Sequence, residues 1–178
     1  MGRLCEGWRG GTIPAMRPRV YIETTVPSYL TVWPSRDLIQ AAHQQVTREW
    51  WDRHRPGFDA VVSQLVIDEC AAGDPAAAAA RLAAVADLPL LAATEAAGLL
   101  ARELIAGVPL PPRAAADALH LATAAVHGVE FLLTWNCTHL ANAVLRGRVE
   151  AVCRSRGYRA PAICTPEELT QEQADADG

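Results

Sequence analysis

Three acidic residues and one amide stand where a folded chain can bring ligands together. Glu23 ends the apolar stretch VYI, Glu69 closes SQLVIDE, Asp117 is the one acid in PPRAAADALHLATAA, and Asn136 follows FLLTW. Acidic side chains that converge can bind a metal ion, whose charge then inverts the local field. These four residues are therefore the candidate functional site.

Each of the four also has an ordinary structural explanation. Glu23 can be a carboxylate at a helix N-terminus, because a proline shortly after it indicates that a helix starts nearby. Glu69 can be an exposed helix residue. Asp117 can pair with Arg113 at i,i+4 spacing, and Asn136 can serve the turn after a strand. A strand-end acid, a helix acid and an acid on an apolar helix in this order are together harder to explain as structural.

The elements that must position these residues alternate between strand-like and helical patterns. Such alternation predicts a parallel sheet covered by helices. In an open parallel sheet, ligands bind beyond the carboxyl ends of the strands, which is where Glu23 and Asn136 are expected. The predicted strands are Arg19–Ile22, Ala60–Ser63, Leu88–Leu91, Glu130–Thr134 and Ala162–Cys164.

Three helices have recognisable ends in the sequence. Asp74 is an N-cap before a proline and the alanine run that follows, and Thr94 caps a helix that Gly107 ends. A third helix is predicted from about Arg113 to His127, ending at Gly128. The predicted core-facing residues of the helix that Thr94 caps are Ala97, Leu100, Ala101, Leu104 and Ile105.

Length and composition predict one domain. The chain has 178 residues, of which 51% are hydrophobic, enough for a single core. No apolar run is long enough to span a membrane and the N-terminus has no signal-peptide core, so we expect a cytoplasmic protein without a membrane partner. We predict a disordered extension over residues 1–18, in which Met16 is an alternative start, a domain over 19–169, and a disordered acidic tail over 170–178.

The charge pattern is acidic overall but locally basic. A net charge of −4 argues against a generally basic nucleic-acid-binding surface. All 16 basic residues are arginine, a residue suited to phosphate recognition. A solvated helix face is the simpler explanation of the arginines that crowd one segment, which are Arg146, Arg148, Arg154, Arg156 and Arg159.

The cysteines favour reduced thiols. Their number is odd and no Cys-x-x-Cys spacing occurs, which argues against a disulfide framework. Cys137 and His139 could belong to a zinc site, but the remaining ligands would have to come from scattered positions. The five cysteines are Cys5, Cys70, Cys137, Cys153 and Cys164.

Four segments resemble the successive motifs of the PIN-domain family: YIETTVPSYL, SQLVIDE, AADALHLATA and LLTWNCTHLANA. Within that family they are similar to the VapC-like toxin ribonucleases of type II toxin–antitoxin pairs. The resemblance runs from about Arg19 to Leu169. It implies a three-layer α/β/α sandwich around a parallel sheet and a Mg²⁺- or Mn²⁺-dependent ribonuclease. It further implies an RNA substrate, a small antitoxin partner and a homodimer.

By position, the resemblance places Glu23, Glu69 and Asp117 on the family's three acids, with Thr24 as a supporting hydroxyl beside the first. The family usually has aspartate at the first position, so Glu23 reaches one methylene further. The expected ion would be held by Glu23 and Asp117, with Glu69 binding a metal-bound water or tuning its proton.

The fourth motif departs further from the family. Asn136 stands where many members have a fourth acid, and Thr134 is the supporting hydroxyl just before it. An amide keeps a carbonyl oxygen but loses a charge, which weakens the expectation of two metal ions. Thr134 and Asn136 are expected to orient the ligands.

The sequence is compatible with several alternatives. A PIN-like domain that has lost its nuclease could act as an RNA- or protein-binding module. A nucleotide-binding protein is disfavoured, because no glycine-rich phosphate loop follows the first strand, and no Gly-x-Ser-x-Gly elbow indicates an esterase. His120 could contact RNA, although a packed or surface histidine is the simpler interpretation. Trp50 and Trp51 could stack on bases, or one could face the core and the other the surface.

Overall fold

A computed structural model describes residues 16–108, 114–136 and 143–170, with the backbone alone for residues 143 and 144. The predicted N-terminal extension lies outside this part of the chain except for residues 16–18. The predicted tail lies outside it except for residue 170.

Five parallel strands form the central sheet within the described residues. They are β1 (Arg19–Ile22), β2 (Asp59–Ser63), β3 (Leu90–Leu91), β4 (Phe131–Leu133) and β5 (Ala162–Cys164). The strand order is β3-β2-β1-β4-β5. In register, Val20 pairs with Ala60 on one side and with Phe131 on the other. The predicted parallel sheet is confirmed, and β1 and β5 have the predicted bounds.

The third strand is shorter than predicted. It begins at Leu90 rather than Leu88. Pro89 has no N–H to donate to the ladder, and only its carbonyl contributes, by accepting a hydrogen bond from Val62 N at 3.1 Å.

Helices cover both faces of the sheet. Right-handed crossovers place the helices before β3 on one face and those after it on the other. The contacts agree, because α1 packs against α2 and α4, whereas α5 packs against α6 and α7. The molecule is therefore a three-layer α/β/α sandwich, as predicted. The helices are α1 (Thr25–Thr31), α2 (Leu38–Glu49), α3 (Gln64–Cys70), α4 (Pro75–Val85), α5 (Glu95–Gly107), α6 (Ala115–Val126) and α7 (Ala143–Ser155).

The predicted helix caps are present. Asp74 accepts a hydrogen bond from Ala77 N at 2.9 Å, and Thr94 accepts one from Ala97 N at 3.1 Å. The prediction that Ile105 faces the core is wrong, since this side chain is 41% exposed. It lies at the margin of the α5 stripe, whose other four predicted residues are buried.

α2 does not stop at its last α-helical residue. It continues as a π-helical turn over Trp50–His54 and a 3₁₀ turn over Arg55–Gly57. Trp50 is buried and donates its indole N–H to the carbonyl of Leu169 at 2.5 Å. This contact fastens the last part of the described chain to the core.

The strand order puts β1 at a topological switch point. The chain moves from β1 to β2 in one direction and later reaches β4 on the other side of β1. A crevice at such a point, beyond the carboxyl ends of the strands, is the usual ligand site of an open parallel sheet. In the described part of the chain, no helix combines the length and the apolar character that crossing a membrane requires.

Candidate metal centre

Glu23 is the first residue after β1 and is 5% exposed. Its Oε2 accepts three hydrogen bonds: from Thr25 N at 3.0 Å, from Thr25 Oγ1 at 2.5 Å and from Thr134 Oγ1 at 2.8 Å. A buried carboxylate is expensive unless donors compensate for its lost hydration. Every bond that Glu23 accepts from the described residues goes to Oε2, which leaves Oε1 for another partner.

Glu69 lies on α3, and, as in Glu23, one of its two carboxylate oxygens accepts the hydrogen bonds from the described residues. Its Oε2 accepts hydrogen bonds from Thr24 Oγ1 and from His120 Nε2, the latter at 3.0 Å. Burial would raise the pKa of Glu69, but the hydrogen bonds from His120 and Thr24 outweigh burial and hold this pKa below the ordinary glutamate value. Glu69 therefore stays ionised at neutral pH.

A buried polar chain lies behind His120. Its Nδ1 is 2.8 Å from the hydroxyl of Tyr21, and that hydroxyl is 2.6 Å from Ser63 Oγ. Tyr21 is 0% exposed and His120 is 1% exposed. Burial, with the nearby charges of Glu23 and Glu69, raises the pKa of Tyr21 well above its usual range despite the bond to Ser63. Tyr21 therefore keeps its proton.

Asp117 and Asn136 form the second part of the candidate site. Asn136 Nδ2 donates to Asp117 Oδ1 at 3.0 Å, and both residues are half-buried. Asn136 also donates its backbone N–H to Thr134 Oγ1 at 2.9 Å. Because that same hydroxyl donates to Glu23, Asn136 and Asp117 are linked to the first acid through one threonine.

The donor set fits a divalent metal ion. One carboxylate oxygen each from Glu23 and Glu69 and one ring nitrogen of His120 lie within 4.8 Å of one another. Carboxylates are the ligands that Mg²⁺ and Mn²⁺ prefer in proteins. Among the described residues, Asp117 is not part of this compact group, so its expected role as a ligand of the same ion stays a prediction.

The supporting residues include some that the sequence did not single out. Thr134 donates to Glu23, whereas Thr24, expected as a hydroxyl beside Glu23, donates to Glu69. Thr25 was missed, although it gives Glu23 two of its three hydrogen bonds. His120 was expected to be a packed or surface residue, and it is packed. Its position one helical turn after Asp117 was the available signal that it lies near the site.

Trp135 holds the turn that presents Asn136. Its backbone N–H donates to Thr25 Oγ1 at 2.8 Å, and its indole N–H donates to Thr47 Oγ1 at 2.7 Å. Its ring stacks on His43 with centroids 4.1 Å apart. The turn after β4 is thereby fixed to the start of α1 and to α2.

The other residues noted in the sequence lie away from these acids. Arg146, Arg154 and Arg159 line a concave surface beside the start of β5, at the amino edge of the sheet. Arg156 pairs with Glu103. Arg154 and Arg159 flank the loop that enters β5, at the opposite end of the strands from Glu23, whereas Arg146 lies in the first turn of α7 and donates to the carbonyl of Ile163 at 3.4 Å.

The aromatic and sulfur residues follow the simpler interpretations. Trp50 faces the core, and Trp51 is half-buried under the guanidinium of Arg55 at 4.7 Å. The three cysteines within the described part of the chain are unpaired and buried: Cys70, Cys153 and Cys164. Cys5, Cys137 and His139, and with them the alternative zinc site, lie outside the described residues.

Comparison with known proteins gives a likeness in structure but none in sequence. No protein-family model matches the chain, and no curated protein matches it. A chain from the structure of FitAB bound to an IR36 DNA fragment is similar over 86% of this chain and 99% of that chain. The sequence identity is 13% and the TM-score is 0.48.

Proposed function

We propose that the protein is a metal-dependent ribonuclease that hydrolyses RNA phosphodiester bonds. The observation that carries the proposal is the pair of carboxylates at the switch point, Glu23 and Glu69. Each has one oxygen fixed by donors, and each offers a ligand oxygen to one shared position. The resemblance of the motifs to PIN-domain ribonucleases supplies the substrate class.

The chain's own residues would prepare the site before any substrate arrives. Glu23 and Glu69 would hold Mg²⁺ or Mn²⁺, with Asp117 completing the acidic rim. When bound, the ion supplies an activated water and neutralises charge on the phosphate. Thr24, Thr25 and Thr134 keep the ligand oxygens from turning away, which is the role of the outer shell in metal sites.

Acidic residues around the site also explain why the ion is needed. A phosphodiester is an anion and is repelled by Glu23, Glu69 and Asp117. A divalent cation reverses that local field, so RNA binding and metal binding are coupled. We therefore expect RNA to bind much more weakly in the presence of a chelator.

The arrangement at Asn136 favours one alternative. Its amide donates to Asp117, where a fourth carboxylate would instead add a ligand. A domain with a weakened metal site could bind RNA or protein without cleaving it. Pairing with a small antitoxin and forming a homodimer remain part of the proposal through the resemblance, and they fit either alternative.

A cleavage assay with matched variants tests the proposal. Purified protein is incubated with a panel of transfer, ribosomal and messenger RNAs, with Mg²⁺ or with chelator. Glu69→Gln should abolish cleavage, whereas Asp68→Asn should not, because the neighbouring Asp68 is exposed and bonds only to Gln64 among the described residues. RNA binding without cleavage by the unaltered protein would favour the binding-module alternative.

A further inference from the structure

A buried chain of hydrogen bonds has no role in the proposed metal binding and RNA cleavage. It joins Ser63, Tyr21, His120 and Glu69. Its three distances are 2.6 Å, 2.8 Å and 3.0 Å, all within hydrogen-bonding range. Such a chain costs stability unless every member finds a partner. It ends on Oε2 of Glu69, the oxygen that also accepts the Thr24 hydroxyl.

The end groups of this chain fix where its protons lie. Glu69 is an ionised carboxylate and can only accept, so His120 must carry a proton on Nε2. In the neutral ring Nδ1 is then bare and accepts the hydroxyl proton of Tyr21. The Tyr21 oxygen in turn accepts from Ser63. The opposite tautomer would place a bare Nε2 against a carboxylate oxygen at 3.0 Å with no proton between them.

We propose that His120 is a positioning residue, whose Nε2–H holds Glu69 with its other oxygen turned to the metal ion and whose Nδ1 is held in place by the hydroxyl of Tyr21. This inference rests on the metal site of the proposed function. Histidine is itself a common metal ligand, and His120 lies close enough to the acids to act as one. While Nε2 donates to Glu69 it does not present the lone pair that a ligating nitrogen needs, so the two roles of His120 are alternatives.

The role of His120 decides which metal ion the site favours. If His120 only orients Glu69, all protein ligands are oxygens, which suits Mg²⁺. If Nε2 bound the ion, the site would favour a transition metal over Mg²⁺. In the first case Tyr21 acts on Glu69 through His120. Loss of the Tyr21 hydroxyl should therefore weaken metal binding without removing any ligand.

The test uses nitrogen NMR of the His120 ring and calorimetric titration with Mg²⁺. At pH 8 the ring nitrogens of unaltered protein should show Nε2 protonated and Nδ1 bare, with and without Mg²⁺. Tyr21→Phe keeps the ring that fills the core and removes the hydroxyl. It should weaken Mg²⁺ binding on the order of tenfold, the usual effect of removing a group that orients a metal ligand. His127→Gln is the control, because His127 bonds to Ala92 O and lies at the end of α6, and it should leave affinity unchanged.

The outcomes distinguish this inference from the ribonuclease assignment. A bare Nε2, or loss of its proton when Mg²⁺ is added, overturns the positioning role, as does unchanged affinity in a folded Tyr21→Phe protein. If Tyr21→Phe fails to fold, Ser63→Ala tests the same chain from its far end. Protein that binds Mg²⁺ as described but leaves RNA intact overturns only the ribonuclease. Protein that binds no Mg²⁺ overturns both.

Discussion

Thr25 is the residue on which the first acid most depends. Its backbone N–H and hydroxyl both donate to Glu23, and its hydroxyl oxygen also accepts the N–H of Trp135. Removing one partner of a part-buried charged hydrogen bond costs far more than removing a solvated bond. Glu23 would then keep its charge with fewer donors around it.

We expect Thr25→Val to lower the free energy of unfolding by about 2 kcal/mol. The control is Thr31→Val on the same helix, whose hydroxyl, among the described residues, donates to the carbonyl of Pro27. That change should cost less than about 0.5 kcal/mol, because a threonine hydroxyl bonded to the carbonyl four residues earlier slightly destabilises a helix. Urea denaturation of the two variants beside the parent measures both values. Equal losses would show that Thr25 does not support a buried charge.

Asp117→Asn should abolish RNA cleavage and leave the fold intact. The side-chain carbonyl of asparagine can still accept the amide proton of Asn136, so the contact at 3.0 Å survives while the charge is lost. Cleavage assays and melting curves on the same preparation check both halves. Full activity in a well-folded variant would remove Asp117 from the site.

Asn136→Asp should have opposite effects in the absence and presence of metal. It replaces a donor to Asp117 by a second carboxylate at hydrogen-bonding distance, and two such charges repel. Without metal, stability should fall on the order of 1 kcal/mol, the equivalent of a shift of about one pKa unit. With Mg²⁺ the variant should recover and bind the ion more tightly, because ligands stabilise the folded state they bind.

Melting temperatures in chelator and across a Mg²⁺ titration measure this pair of effects. If the variant and the parent behave alike in both conditions, Asn136 does not contribute to the metal environment. The hydrogen bond to Asp117 would then be a structural contact of the turn after β4.

At the scale of elements, the end of α6 decides how the chain enters β4. Gly128 has a φ of +63°, a conformation that side chains disfavour, and a Cβ added there would meet no atom within 4 Å. Any cost of substitution is therefore conformational. Gly98 lies inside α5, and a Cβ there would also meet nothing within 4 Å.

The two glycines should respond to alanine with opposite signs. Gly128→Ala should destabilise the protein by about 1 kcal/mol, the cost of a left-handed residue with a side chain. Gly98→Ala should stabilise it by about 0.5–1 kcal/mol, since alanine is the better helix former. Chemical denaturation of both variants gives the two signs directly. The same sign for both would contradict the assigned helix boundaries.

At the scale of the whole molecule, the core keeps three thiols out of water. Burial raises the pKa of Cys70 to about 11 and that of Cys164 to about 12, and it also raises the pKa of Cys153. Only the thiolate reacts with alkylating reagents. We expect these three cysteines to stay unmodified by iodoacetamide at pH 8 until denaturant is added, as read by peptide mass spectrometry.

The same shifts predict how stability depends on pH. Below the ordinary thiol pKa, the three groups are neutral in both states and contribute nothing. Above that value the unfolded chain releases protons that the folded chain retains, so unfolding becomes more favourable as pH rises. Denaturation midpoints should therefore fall between about pH 9 and pH 11. A flat profile, or rapid alkylation of folded protein, would contradict the burial of these residues.

The sheet was largely predictable because the sequence signals for its strands and for the helices between them are local. Strand runs, caps at Asp74 and Thr94, and the glycine after α6 are each encoded within a few residues. The shortening of β3 depends on Pro89, whose missing donor matters only beside β2. The exposure of Ile105 depends on where α5 meets its neighbours, which periodicity alone does not fix.

The candidate site was only partly predictable for the same reason. Acids at strand ends and on an apolar helix are visible in the sequence. The donors that hold those acids are not, because Tyr21 and His120 are 99 residues apart and Thr25 and Thr134 are 109 apart. Nothing in the sequence distinguishes Tyr21 and His120 from ordinary core residues. Only the fold reveals that they share a chain of hydrogen bonds with Glu69.

Reversible metal dependence of RNA cleavage decides whether the protein is a metal-dependent ribonuclease. A labelled RNA is incubated with the protein in Mg²⁺, excess chelator is added part-way, and Mg²⁺ is then restored to the same sample. Asp117→Asn protein, purified in parallel, reports any contaminating nuclease. We predict that cleavage stops in chelator, resumes when Mg²⁺ returns, and is absent from the variant. Cleavage that continues in chelator, or that the variant performs equally well, would contradict the assignment of a metal-dependent ribonuclease.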